Sequence, residues 1–310
     1  MLSYLASRLV QLGFVLFAIT VLSFALLHLA PGDPAQILLR NQGALLTQTS
    51  IQQMRAELGL DQPLPVQYLR WLQAALRLDF GVSFRTGQPV SELLLGRLGA
   101  TVELAAVALG LALLIAVPLG IFAAVYQNTL VDHLGRLAAL VGASMPSFWL
   151  GLLLIYLFAV RLGWLPVLGR GSLAHLVLPG LTLALSLAPV YMRLIRASLC
   201  DVLREDYIQT ARAKGASERR VILRHGLRTA LIPVVTLFGM TLAHLLGGTV
   251  VVETIFAWPG IGQLAVEAIL NRDFPVVQAF VLLLSLAFAL ANLAVDLSYA
   301  LLDPRIRVEG

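Results

Sequence analysis

The sequence predicts an all-α fold, a polytopic bundle of membrane-spanning helices. Three observations carry that expectation. Hydrophobic residues make up 59% of the 310 positions and charged residues only 13%, against roughly 45–50% and about 25% in a soluble domain. The mean hydropathy is +0.86. Apolar runs of about 20 residues, the length needed to cross a ~30 Å hydrocarbon core, recur along the chain.

Six runs qualify as spans. Residues 9–30 hold no Lys, Arg, Asp or Glu and reach about 33 Å as a helix. That exceeds the apolar region of a secretory signal, so the segment is expected to stay as the first span. Pro31-Gly32-Asp33-Pro34 ends it. The others are 104–126, 137–160, 176–192, 230–252 and 276–295. The fourth carries Pro179 and Pro189, tolerated where neighbouring groups satisfy the freed carbonyls, so it is expected inside the bundle.

Charge sets the orientation. The loop 193–228 holds nine basic and four acidic residues, which places it in the cytoplasm. Six spans then leave both termini cytoplasmic, in keeping with Arg8, Arg305 and Arg307. The segment 31–98 carries six arginines yet falls outside, and its length lets it cross largely regardless of charge. The formal net charge of +5 thus reports topology and implies no nucleic-acid partner. Three regions follow: 1–30 with the first span, 31–98 outside, and 99–310 as the core with five spans and the cytoplasmic loop 193–228.

The outer segment has helices of its own. Ser50 followed by Gln53 reads as a capping box for a helix over 51–58 closed by Gly59. A second follows Pro65, with Leu69, Leu72 and Leu76 on one face beside Tyr68 and Trp71, ending before Gly81. It reads either as a cap over the bundle mouth or as a docking surface.

The loop 204–228 is too charged to span but has helical order. Periodicity runs over 203–213, Gly215 can take the left-handed conformation that closes a helix, and Ser217 can cap the next. Ala211 and Ala213 beside Thr210 allow another backbone to come close, and Tyr207 and Lys214 project as anchors. Asp206-Tyr207-Ile208-Gln209-Thr210-Ala211-Arg212-Ala213-Lys214-Gly215 resembles the EAA loop of ABC-importer permeases. It is most similar to the version in the dipeptide, oligopeptide and nickel permease family, with Gln209-Thr210-Ala211 in place of Glu-Ala-Ala. Ala30-Pro31-Gly32-Asp33-Pro34, the stretch from Glu253-Thr254-Ile255-Phe256-Ala257-Trp258 through Gly262, and Leu302-Asp303-Pro304-Arg305 extend the likeness over the whole chain. The long segment after the first span is similar to that of the B-type member of the paired permeases.

The resemblance implies a subunit of a bacterial inner-membrane importer, embedded in membrane lipid. Its partners would be a second, related permease in a heterodimer, two cytoplasmic ATPase subunits and an external substrate-binding protein. ATP and Mg would sit on the ATPases, and this chain would carry no cofactor, metal or catalytic residue. The loop would be a coupling helix, with Tyr207, Thr210, Ala211, Ala213, Lys214 and Gly215 meeting the ATPase. Peptide is the first substrate by this likeness, with nickel, a sugar or another small solute as alternatives. The plainer alternative for the loop is a basic segment that only sets topology.

Other chemistries find little support. The one lysine, Lys214, is not preceded by glycine, so no P-loop is present. Cys200 is the single cysteine and forms no internal disulfide or thiolate cluster. Ser144, Ser147 or Ser186 with His28, His175 or His244 show no nucleophile spacing, and His-Glu-x-x-His is absent. Glu103 and Asp296 suit interfacial solvation or helix pairing as well as a transport role. An ion-gradient-driven transporter is the alternative class, although the two halves show no repeat of span pattern.

Overall fold

The computed structural model describes residues 2–29, 32–41, 43 and 45–302. Among them it is helical, with one isolated bridge, Val82 to Pro89, and no strand. The helices in order are α1 Leu2–Leu29, α2 Pro34–Asn41, α3 Gln48–Glu57, α4 Leu64–Leu76, α5 Val90–Val125, α6 Leu130–Ser144, α7 Ser147–Leu154, α8 Leu173–Val202, α9 Asp206–Ala213, α10 Glu218–Arg220, α11 Leu227–Ala230, α12 Ile232–Gly248, α13 Val250–Ile255, α14 Ile261–Leu270 and α15 Phe274–Leu302. Wider π-helical turns follow α7 over Ile155–Arg161 and α10 over Val221–Gly226.

Two compact units form, one from residues 1–101 and 259–310, the other from residues 102–258. In the first, α15 packs on α1 and on α14. Asp273, at 3% exposure, accepts from the Ser83 hydroxyl and, at 2.9 Å, from the Phe84 backbone N–H. It thereby pins the 83–87 turn to the start of α15. Arg85 adds an ion pair to Glu267 at 3.0 Å. Between residues 31 and 98, α2 and α3 start where short polar side chains satisfy free N–H groups, Asp33 accepting from Ala35 N at 3.1 Å, whereas α4 starts after Pro63 without a side-chain cap. Thr47 caps α3, accepting from Ser50 N at 3.2 Å while Ser50 Oγ accepts from Thr47 N at 3.1 Å. The capping box therefore sits three residues earlier than the Ser50–Gln53 expectation, and the helix with it. α4 does not bury its leucine face: Leu69 and Leu76 stay exposed. Its aromatic side packs instead, with Phe24 of α1 near Tyr68 and Trp71 and Thr20 Oγ1 2.8 Å from Tyr68 Oη.

The second unit is tightened where glycines let helices approach. A Cβ on Gly120 would lie 2.9 Å from Ile195 Cβ, and one on Gly180 would lie 3.0 Å from Val107 Cγ1. Tyr191, 1% exposed, donates to Thr241 Oγ1 at 2.8 Å. Pro179 and Pro189 both lie inside α8, half of whose most apolar window is buried, in keeping with the expected interior span.

Three continuous stretches are long and apolar enough to cross a membrane: Val90–Val125, Leu173–Val202 and Phe274–Ala294. Two bent pairs, Leu130–Ser144 with Ser147–Arg161 and Glu218–Ala230 with Ile232–Gly247, raise the candidates to five; Val10–Ala25 is a shorter apolar helix. The expected third span, 137–160, is broken: its halves meet at 100°. Met145 adopts φ −80°, ψ 126° because the ring of Pro146 forces the preceding residue out of helical geometry. The helix of the expected second span, α5, starts at residue 90 and carries Glu92, Arg97 and Glu103 in one continuous 36-residue helix.

Candidate functional site

The loop 204–228 is a helix, a bend and a helix. Asp206 in the first turn and Arg212 in the last complement the dipole of α9. Lys214 closes it, Gly215 takes φ +79°, and the N–H groups of Gly215 and Ala216 bond the carbonyls of Arg212 and Ala211 at 2.9 and 3.2 Å. This is a Schellman stop, with glycine at the left-handed position where a side chain would be strained. Ser217 follows with extended φ and ψ, but its hydroxyl makes no capping bond. The bend is held from outside by Arg212, whose guanidinium reaches the two Glu218 oxygens at 2.8 and 3.2 Å.

One side chain fixes α9 to the bundle. Ile208 is fully buried and is the only buried residue of the helix. It enters a cluster of Ala124, Leu199, Cys200, Val202, Val221 and Ala230. Tyr207, Thr210, Ala213, Lys214 and Gly215 are exposed, so five of the six expected contact residues share free surface. Ala211 is the exception, half-buried against the Ile208 cluster. Tyr207 does not project freely either, because its hydroxyl lies 3.3 Å from Thr229 Oγ1 on α11.

Sequence reasoning missed Ile208 and the Arg212–Glu218 clamp. The signal was weak: Ile208 and Ala211, three apart, share a helix face, and Arg212 and Glu218 bracket the glycine bend.

A buried ion pair lies at the base of the same unit. Asp132, at zero exposure, receives Arg196 in a two-pronged contact at 2.6 and 2.7 Å, accepts from Asn128 N at 3.0 Å, and has Arg136 at 3.6 Å. It joins α6 to α8, on the helix whose later residues Leu199, Cys200 and Val202 form the Ile208 socket. Glu103 is paired with Arg170 at 3.0 Å, and the Arg170 guanidinium lies 5.6 Å over the Trp258 ring. Ser144 and Ser186 donate to helix carbonyls of Leu140 and Thr182, and His28 lies against Phe24 O and Gln67. The Asp296 side chain, Ala30, Pro31 and Asp303-Pro304-Arg305 lie outside the described residues.

Comparison with known proteins places this architecture. The profile of the binding-protein-dependent transport system inner membrane component matches residues 116–308, and the N-terminal profile of such membrane components matches residues 1–105. The chain belongs to this family. It is an ABC-importer permease, and the expected kinship with the peptide and nickel permeases holds. Among its relatives is the glutathione transport system permease protein GsiC of Salmonella typhimurium, 47% identical over 307 residues and 99% of both chains. The GsiC of Escherichia coli K12 is 46% identical over the same span. The permease fold is shared with a chain of the MetNI methionine ABC transporter in an inward-facing conformation. There the TM-score is 0.58 at 20% identity, covering 68% of this chain and 96% of that one.

Proposed function

We propose that this permease forms half of the path for peptides in a heterodimeric importer, and that α9 is the lever by which two cytoplasmic ATPases, holding ATP and Mg, work it. An external binding protein delivers solute at the outer mouth. Six spans with both termini in the cytoplasm, the outer segment 31–98 and the core 99–310 complete the reading. The observation that carries it is the construction of α9: one buried isoleucine into the bundle, and exposed positions Thr210, Ala213 and Lys214 beside a half-exposed Tyr207 whose hydroxyl reaches Thr229. Ala211 braces these positions from beneath. An ATPase gripping the exposed side and releasing it with the nucleotide state shifts a two-state bundle by its differential binding energy. Peptide is favoured by the glutathione permeases among the relatives.

Gly215 supplies the test. A Cβ there meets nothing within 4 Å, so Gly215→Val acts through backbone strain alone, about 1–2 kcal/mol against a positive φ. In the reconstituted importer, ATP hydrolysis is expected to continue while uptake falls by roughly five- to thirtyfold. Unchanged uptake would remove the coupling role. Uptake by wild type that follows an ion gradient and survives removal of the ATPases would overturn the ATP-driven reading. Orientation is checked separately: a reporter fused at Gln73 is expected outside and one at Ser217 inside, and the reverse pattern would invert the topology.

A further inference from the structure

The unit built from both ends of the chain lines an open cleft of about 830 Å³, within the range of roughly 300–1,000 Å³ typical of small-molecule sites. Its floor reaches Phe24 on α1 and Gln278 in the first turns of α15, and its wall is α4 with Arg70 and Trp71. Two polar groups in this lining make no side-chain hydrogen bond or ion pair among the described residues. Gln278 is 8% exposed; among the described residues its amide makes no hydrogen bond, and since no fully buried side-chain polar atom is left unpartnered there, the amide is open to the cavity. Among the described residues the Arg70 guanidinium makes neither an ion pair nor a hydrogen bond. The neighbouring polar groups are spent. Asp33 holds Arg55 at 3.2 Å, and Gln67 donates to the carbonyls of Leu60 and Gln62. Asp79 uses one oxygen on Gly81 N, leaving the other for a cation.

We propose that this cavity is a peptide-binding site on the outer segment, distinct from the central path, taking the free carboxylate of a short peptide on Arg70 and a peptide bond on Gln278. This rests on the peptide reading above. The pairing follows from donor and acceptor types. A primary amide presents both N–H and C=O, the complement of a peptide bond, whereas a phosphodiester only accepts. The lining also balances two arginines, Arg55 and Arg70, with Asp33 and Asp79, which suits a zwitterion better than a net anion. Phe24 and Trp71 supply an aromatic wall for an apolar side chain.

The experiment uses the complete importer in nanodiscs without the binding protein. Equilibrium binding of radiolabelled Ala-Ala-Phe is compared with that of its C-terminal amide. Saturable binding is expected, weakened roughly tenfold in Arg70→Ala, the loss of one charge-assisted contact, and by a similar factor on amidation. In Arg70→Ala, amidation should cost nothing further. Gln278→Leu, close in size, should weaken the acid and the amide alike. Arg70 is exposed and unbonded, so gel filtration of the intact complex suffices to check assembly of its variant. Equal binding by wild type and Arg70→Ala overturns the site, as does a phospholipid that copurifies with wild type and is lost from Arg70→Ala. Uptake of the same peptide with the binding protein present is run in parallel. Transport without cavity binding defeats this inference alone, and absence of peptide transport in wild type defeats the function it rests on.

Discussion

Ile208→Asp is expected to leave the chain inserted and to bring ATP-driven uptake down to background. Ile208 is the sole buried residue of α9, and its socket is lined by Ala124, Leu199, Cys200, Val202, Val221 and Ala230, which offer a carboxylate no side-chain partner. A charge placed there unpaired costs several kcal/mol. An eight-residue helix is too short to persist without tertiary support, so α9 leaves the bundle and carries its exposed face with it. A graded series sharpens the expectation. Ile208→Val costs about 0.5–1.5 kcal/mol and Ile208→Ala about 2–5 kcal/mol, so uptake should fall in the order Val, Ala, Asp, with trypsin cleavage at Arg212 rising in the same order. Full uptake by Ile208→Asp would show that the lever is held elsewhere.

Asp132→Ala is expected to cost about 3–5 kcal/mol of stability, because it strands the Arg196 guanidinium that it now satisfies. The Arg196 side chain is 18% exposed and Asp132 fully enclosed, so solvent takes up little of the loss. The loss should appear as a large drop in the thermal unfolding midpoint of the purified protein. The double variant Asp132→Leu with Arg196→Met removes both charges and should recover most of it, since a buried pair is often replaceable by apolar residues of similar volume. If the double variant is no better than Asp132→Ala, the pair is not what binds α6 to α8.

Much of this was legible in the residues, and what was not has identifiable causes. Hydropathy finds apolar runs, but it does not see local backbone geometry: the 100° break at Met145-Pro146 was written in one proline inside an otherwise continuous run. The capping box moved from Ser50 to Thr47 because three candidate polar residues, Thr47, Thr49 and Ser50, stand almost together, and the pair that bonds reciprocally wins. In the loop 204–228 the Gly215 bend could be read directly, since few residues accept a positive φ. Ile208 could not be picked out with equal ease. One isoleucine among charged neighbours carries little periodic signal, and its socket is assembled from Ala124, the end of α8 and the turn after α10. Ion pairs such as Glu103–Arg170, 67 positions apart, leave no local trace in a single sequence.

The Asp273 tie to Ser83 and Phe84 joins residues 190 and 189 positions apart, and its timing matters during synthesis. At about 5–20 residues per second, the intervening stretch 102–258 takes a ribosome roughly ten to thirty seconds to make. Throughout that interval the first hundred residues lack α14 and α15, which complete their compact unit. The leading segment therefore waits for the last two helices before the Asp273 tie can close.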